Sequence, residues 1–121
     1  MPQAIAAREL RAPAQDLAHW KEAVEQRLAQ LVPLPMDDAG GVCEAMRVAL
    51  LGPGKRLRPL LMLGTSLGLG GSGHSVMDAA CALEMVHAAS LVLDDLPCMD
   101  DASLRRGRPA LHVSHGEDVA V

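Results

Sequence analysis

The apolar run over residues 76–93 ends in Asp94-Asp95-Leu96-Pro97-Cys98-Met99-Asp100-Asp101, four carboxylates in eight positions, and Arg105-Arg106 follow at once. The run is too apolar to face water, whereas clustered carboxylates repel one another and burial penalises their ionised form. The fold therefore has to carry the end of a buried helix to something that neutralises it. Divalent cations do this well, and a set of hard oxygens without Cys or His suits Mg2+, which keeps several waters and shares its shell with phosphates.

The rest of the chain reads as helices and connectors. Over residues 16–31, Leu17, Trp20, Val24, Leu28 and Leu31 recur at helical spacing, with Lys21, Glu22, Glu25 and Gln26 opposite, until Pro33 and Pro35 end the pattern. A second helix is expected over residues 42–51, burying Val42, Met46, Ala49 and Leu50, stopped by Gly52-Pro53-Gly54. Pro59 suits the first turn of a third over residues 60–69, apolar on nearly every side and so expected to be central. Residues 68–73, G-L-G-G-S-G, match a dinucleotide fingerprint in form, but helix formers precede them where a strand is needed, so they read as a connector.

Ser75 and Asp78 resemble a capping box opening the longest periodic stretch, which runs through Val76, Ala79, Ala80, Leu83, Val86, His87, Ser90 and Leu91 to Asp94. Residues 107–116 read as a loop, and residues 117–121 as the acidic start of a further helix. No alternating strand pattern and no internal repeat occurs, so the fold class is all-α.

A chain of 121 residues can form one domain burying about two thirds of its unfolded surface. Its net charge of -4 and pI near 5.6 argue against a nucleic-acid partner, and Trp20, the one aromatic residue, leaves no platform for stacked bases. Cys43, Cys81 and Cys98 form no C-x-x-C pair, which points to a reducing, cytoplasmic setting. Residues 1–13 carry Arg8, Glu9 and Arg11 and lack the uninterrupted apolar core of a signal peptide. No membrane span is expected, because Gly, Lys, Arg or Asp interrupts each apolar run.

His87 and Asp94, seven residues apart, share a helical face with Ser90 and Leu91. Asp100 would point away on a regular helix, but Pro97 bends the backbone and can turn the second acidic pair back; Asp101 is the candidate if the helix stays regular. Upstream, Gly54-Lys55-Arg56-Leu57-Arg58-Pro59 gathers three cations at a helix start, with Lys55 and Arg58 able to face one anion beside the free amides. Arg56 after Gly-Lys excludes a Walker A loop. His112 and His115 lack a third metal ligand and are read as loop residues. The methionines are read as packing.

Acidic groups suited to metal and basic groups suited to phosphate, both on apolar helices, describe a pocket for diphosphate esters with hydrocarbon tails. On these motifs, residues 44–121 resemble the amino-terminal half of a trans-type polyprenyl diphosphate synthase. The basic turn is similar to that family's first conserved turn. The stretch from Asp94 to Asp101, with Arg105-Arg106-Gly107, is similar to its first aspartate-rich motif in the bacterial form, and Glu84-Met85-Val86-His87-Ala88-Ala89-Ser90-Leu91 resembles geranylgeranyl diphosphate synthases of bacterial carotenoid pathways.

The resemblance implies a helical bundle of the isoprenoid synthase type, with residues 1–121 as its amino-terminal portion and residues 1–14 flexible. It implies that Asp94 and Asp100 bind Mg2+, supported by Asp95 and Asp101, and that Arg105 holds an allylic diphosphate. Lys55, Arg58, His87 and Arg106 would hold isopentenyl diphosphate, with Gly54 allowing close approach. Ala89 and Ser90, one turn before Asp94 and both small, would line the path of the growing chain.

The implied activity is Mg2+-dependent condensation of isopentenyl diphosphate with an allylic diphosphate, farnesyl to geranylgeranyl. A farnesyl diphosphate synthase, or a non-catalytic helical partner of a full-length synthase, is the alternative. The family's second aspartate-rich motif is not among these residues, and a homodimer or association with a full-length synthase is the expected assembly.

Overall fold

The computed structural model describes residues 13–36 and 40–121. The flexible segment expected over residues 1–14 lies almost wholly outside them. Four helices form the body: α1 (Pro13–Leu31), α2 (Val42–Leu51), α3 (Leu57–Gly68) and α4 (Met77–Asp95). A two-residue ribbon follows, β1 (Leu104–Arg105) against β2 (Arg108–Pro109), then α5 (Leu111–His115) and α6 (Glu117–Ala120).

The fold is all-α as expected, with the ribbon as an addition. Leu104 pairs with Pro109 and Arg105 with Arg108 in antiparallel register. The two residues between the strands, Arg106 and Gly107, both have positive φ, 51° and 76°, as a tight type I′ hairpin turn requires. Residues 107–116 are therefore a strand and a short helix rather than a loop, and His112 and His115 sit on α5.

Helix α4 packs against α1, α2, α3 and α5. Val24, Leu28 and Val32 meet Leu50, Leu63, Met77, Ala80 and Cys81 in one core, with Trp20, Met62, Met85 and Ala88 against it. Burial pushes the Cys81 thiol up from its ordinary value. The helix boundaries follow local chemistry: Gly52 leaves α2 in an extended conformation, and Pro59 sits in the first turn of α3, where its missing N–H costs nothing.

The glycine connector has a packing explanation. Gly70 takes φ 81° just past the end of α3, and a Cβ on Gly73 would fall 2.4 Å from the Trp20 ring. The indole thus needs Gly73 bare, which with the φ of Gly70 accounts for these two glycines without a nucleotide.

Several expected faces are corrected. On α4 the buried residues are Met77, Ala80, Cys81, Glu84 and Asp95, whereas Ala79, Leu83, Val86 and Ser90 are exposed. The helix is apolar nearly all round, so periodicity could not select its inward side. Helix α3 is not central among the described residues: Pro59 and Leu63 are buried, but Leu61 is 61% exposed and Leu57 and Leu67 face outward. Helix α2 buries Ala45 and Leu50 rather than Val42 and Met46.

The expected capping box is absent. Ser75 Oγ donates to Ser72 O, a 3-10 turn over His74–Val76 leads into α4, and Asp78 takes a two-pronged bond from Arg27 of α1. That bond holds the Asp78 carboxyl below its ordinary value.

Among the described residues one helix, His74–Asp95, is long and apolar enough by length and composition to cross a membrane, which corrects the expectation that no stretch comes near. Here it is the central helix of the bundle and carries the buried carboxylate of Glu84, paired with Arg56.

Leu28, with no exposed surface, should reveal the core: Leu28→Ala is expected to lower stability by about 2–5 kcal/mol in urea unfolding followed by circular dichroism. Leu61→Ala, on the open side of α3, should stay within about 0.5 kcal/mol of the parent. Equal losses would show that α3 is packed on both sides.

Candidate active site

The basic loop begins where α2 stops. Arg56, the residue before α3, has φ 53°, and its guanidinium turns inward to donate to Gly52 O at 2.8 Å and to Glu84 Oε1 at 3.1 Å. Lys55 and Arg58, on either side, are exposed. Arg58 Nη1 lies 3.1 Å from His87 Nε2. Since a guanidinium can only donate, Nε2 accepts and the ring proton lies on Nδ1.

The acidic loop folds back on the end of α4. Leu96 and Pro97 leave the helix, Asp100 N–H donates to Asp94 O at 2.9 Å, Asp101 N–H to Leu96 O at 3.0 Å and Ala102 N–H to Asp95 O at 3.1 Å. The bend at Pro97 thus brings the Asp100 backbone against Asp94, while Asp101, at φ 48°, serves the turn. Asp94 and Asp95 point apart: Asp94 is exposed, and Asp95 is buried and accepts two bonds from Arg105, at 2.6 and 2.7 Å.

Those bonds hold the Arg105 guanidinium above its usual basicity, and the charges of Asp95, Asp94 and Asp100 add to the effect against the opposing cost of burial. Asp94 and Asp100 therefore act on one arginine together.

The two loops meet. Arg106 Nη1 donates to Pro53 O at 2.7 Å, tying the hairpin to the basic loop. A Cβ on Gly54 would lie 3.0 Å from Arg106 Nη1 and 3.2 Å from Arg56 Nη1, so Gly54 lets both guanidinia come close. Between the loops lies a cleft of about 100 Å3 walled by Arg56, Glu84, His87, Asp95, Arg105 and Arg106 among others, while Lys55, Arg58, Asp94 and Asp100 are not among its lining residues.

Beside it is an apolar cavity of about 330 Å3, lined by Ala45, Ala49, Met85, Ala89 and Val92 among others. Ala49, Ala88, Val92 and Leu111 line both spaces. Ala89 thus faces the apolar cavity. Ser90 does not line it; its hydroxyl donates to His87 O at 2.7 Å on the exposed side of α4.

Gly54, Lys55, Arg58, His87, Asp94, Asp95, Asp100, Arg105 and Arg106 all lie on the two facing loops or on α4 between them. Sequence reading missed the inward role of Arg56 and its partner Glu84. An acidic residue on the same face as Ala80, Ala88 and Leu91 was the available signal, since a buried charge demands a partner.

Comparison with known proteins follows the same motifs. Residues 41–121 match the polyprenyl synthetase family. The chain belongs to that family.

It is 54% identical over 100 residues to a geranylgeranyl diphosphate synthase of Pantoea ananas, covering 81% of this chain and 33% of the relative. Among solved structures, an FPP/GFPP synthase of Zymomonas mobilis superposes with a TM-score of 0.82 at 35% identity, over 89% of this chain and 39% of the other. A geranyltranstransferase of Thermotoga maritima superposes with a TM-score of 0.80 at 40% identity, over 87% and 39%. The fold of this polyprenyl synthetase chain is thus the isoprenoid synthase bundle, of which it carries a part. The chain spans about a third of the length of the curated relatives it matches.

The Asp95–Arg105 pair invites a direct test. Asp95→Asn keeps the shape but removes the charge facing a guanidinium that is about two-thirds covered, and is expected to cost about 1–3 kcal/mol in thermal unfolding. Ser90→Ala, which loses only an exposed hydroxyl bond, should fall within about 0.5 kcal/mol of the parent.

Proposed function

We propose that residues 1–121 are the amino-terminal part of a polyprenyl synthase domain that condenses isopentenyl diphosphate with an allylic diphosphate, extending farnesyl to geranylgeranyl diphosphate. The observation that carries this reading is the meeting of two unlike grips at one cleft beside an apolar cavity: Arg106 reaches the basic loop while Arg105 is held at the acidic one. Two diphosphates and a hydrocarbon tail match that arrangement. The name of the Pantoea relative supports the twenty-carbon product, and that of the Thermotoga structure keeps a farnesyl diphosphate synthase as the alternative.

Lys55, Arg58, His87 and Arg106 hold isopentenyl diphosphate in this reading. Arg58 is already oriented by His87, whose Nδ1–H remains able to donate. Arg105 holds the allylic diphosphate, and its bond to Asp95 keeps the guanidinium charged and aimed.

Asp94 and Asp100 suit Mg2+. They are exposed hard oxygen donors on segments joined by the Asp100 N–H bond to Asp94 O, and among the described residues no group of three His, Cys, Asp or Glu is gathered into a complete metal site. Two carboxylates with waters and phosphate oxygens are what Mg2+ ordinarily takes. Bound there, Mg2+ would neutralise charge gathering on the departing pyrophosphate. The protein's own arginines add to that stabilisation, and the apolar walls keep water from the allylic cation. No protein nucleophile is needed, because the double bond of isopentenyl diphosphate attacks that cation and the adduct then loses a proton to the released pyrophosphate.

The exposed apolar residues Leu57 and Leu61 of α3 and Val86 and Leu93 of α4 favour association, as a homodimer or with a full-length synthase. The three free cysteines suit a reducing cytoplasm.

The test incubates the chain with Mg2+, labelled isopentenyl diphosphate and farnesyl diphosphate and resolves product by length. A twenty-carbon product is expected if these helices suffice. Mg2+-dependent diphosphate binding without product would assign the chain the role of a part or partner, and neither binding nor product would overturn the reading. In the complete enzyme, Ala89→Tyr fills the apolar cavity and should shorten the product; an unchanged length would remove Ala89 from the path of the chain.

A further inference from the structure

Arg56 has none of the roles proposed for its neighbours, yet it is 5% exposed between the exposed Lys55 and Arg58. Its guanidinium touches three elements. Nη2 donates to Gly52 O at the end of α2, Nη1 to Glu84 Oε1 of α4, and Nε lies 3.4 Å from Glu25 Oε1 of α1. Nε has no hydrogen-bond partner among the described residues, and Glu25 is half-exposed, so Glu84 supplies the firmer hold.

Stability alone does not account for this arrangement. Apolar side chains of similar volume usually replace a buried ion pair without loss, so what the pair supplies has to be sought in geometry. Arg56 is pinned at both ends, by a left-handed backbone and by a gripped tip. The residues beside it then have little freedom to swing.

The Arg58–His87 contact falls three residues, or about one turn, beyond Glu84 on α4. The basic loop is thus fixed to α4 by two rungs, an inner one through Arg56 and an outer one through Arg58.

We infer that Arg56, gripped by Glu84 in the cleft wall, is a positioning residue that fixes the loop from which Lys55 and Arg58, the latter against His87 of the same wall, receive one diphosphate. The inference deepens the proposed function and rests on it for the ligand. Arg56 lines the cleft beside Glu84, but its guanidinium is committed to Glu84 and Gly52 O, so it acts through its neighbours.

The test uses the 121-residue chain and the paired variant Arg56→Met with Glu84→Gln, which leaves no unpartnered charge inside. The His87 ring, observed by nitrogen–proton NMR at about pH 8, where histidine is ordinarily neutral, should hold its proton on Nδ1 in the parent and become a mixture of tautomers in the variant. By calorimetry, isopentenyl diphosphate should bind about tenfold or more weakly, as misaimed contacts do. Farnesyl diphosphate with Mg2+, gripped from the acidic loop, should change by less than about twofold.

An unchanged His87 ring, or equal weakening of both ligands, would overturn the inference. If the parent binds neither diphosphate while the ring still responds to the variant, the diphosphate reading fails and the positioning of the loop by Arg56 stands.

Discussion

The bundle depends on two carboxylates that its central helix turns inward. Glu84 and Asp95 are eleven residues apart on α4, within about 20° of three full turns, so they lie on one stripe. Hydropathy alone would have chosen otherwise, because Leu83 and Val86 lie outside that stripe and each could gain about 1.5–3 kcal/mol by burial. Small residues explain part of the choice: Ala80, Cys81 and Ala88 let α4 approach its neighbours closely. The arginines explain the rest. A stranded buried carboxylate costs several kcal/mol, so the inward face is available only because Arg56 and Arg105 meet it at either end.

Backbone strain is concentrated at the same places. Three described residues other than glycine have positive φ, and they are Arg56, Asp101 and Arg106. Each such conformation costs about 1–2 kcal/mol, and it persists where surrounding bonds over-determine it. Arg56 is held by Glu84 and Gly52, Asp101 by its N–H to Leu96 O, and Arg106 by the hairpin and by Pro53 O. The strain therefore lies in the loops that display charge, while the helices beneath them follow ordinary geometry.

This distribution explains what could be read from sequence. Helix extents were legible because punctuation sets them: α2 occupies residues 42–51 between Gly41 and Gly52, and the connector after α3 follows its glycines. The charged motifs were legible as motifs, since their residue types suit few purposes together. Faces were not, because α3 and α4 are apolar nearly all round and only partners many residues away select a side. The Asp78 error has the same origin: a local capping reading lost to Arg27, 51 residues earlier. The hairpin escaped because its strands have two residues each and its turn reads Arg-Gly rather than Asn-Gly.

Arg105 and Arg106 show why the tight hairpin matters to the site. In a longer loop two successive arginines could swing together and compete for one anion. Here Arg105 closes β1, paired with Arg108, and Arg106 opens the turn, so their side chains leave in different directions, one to Asp95 and the other to Pro53 O. One peptide bond thus separates the grip on the acidic loop from the grip on the basic loop. That bond holds the two Cα atoms about 3.8 Å apart, and the hydrogen bonds to Asp95 and Pro53 O fix where each guanidinium ends, so the spacing of the two tips follows from covalent geometry and packing together.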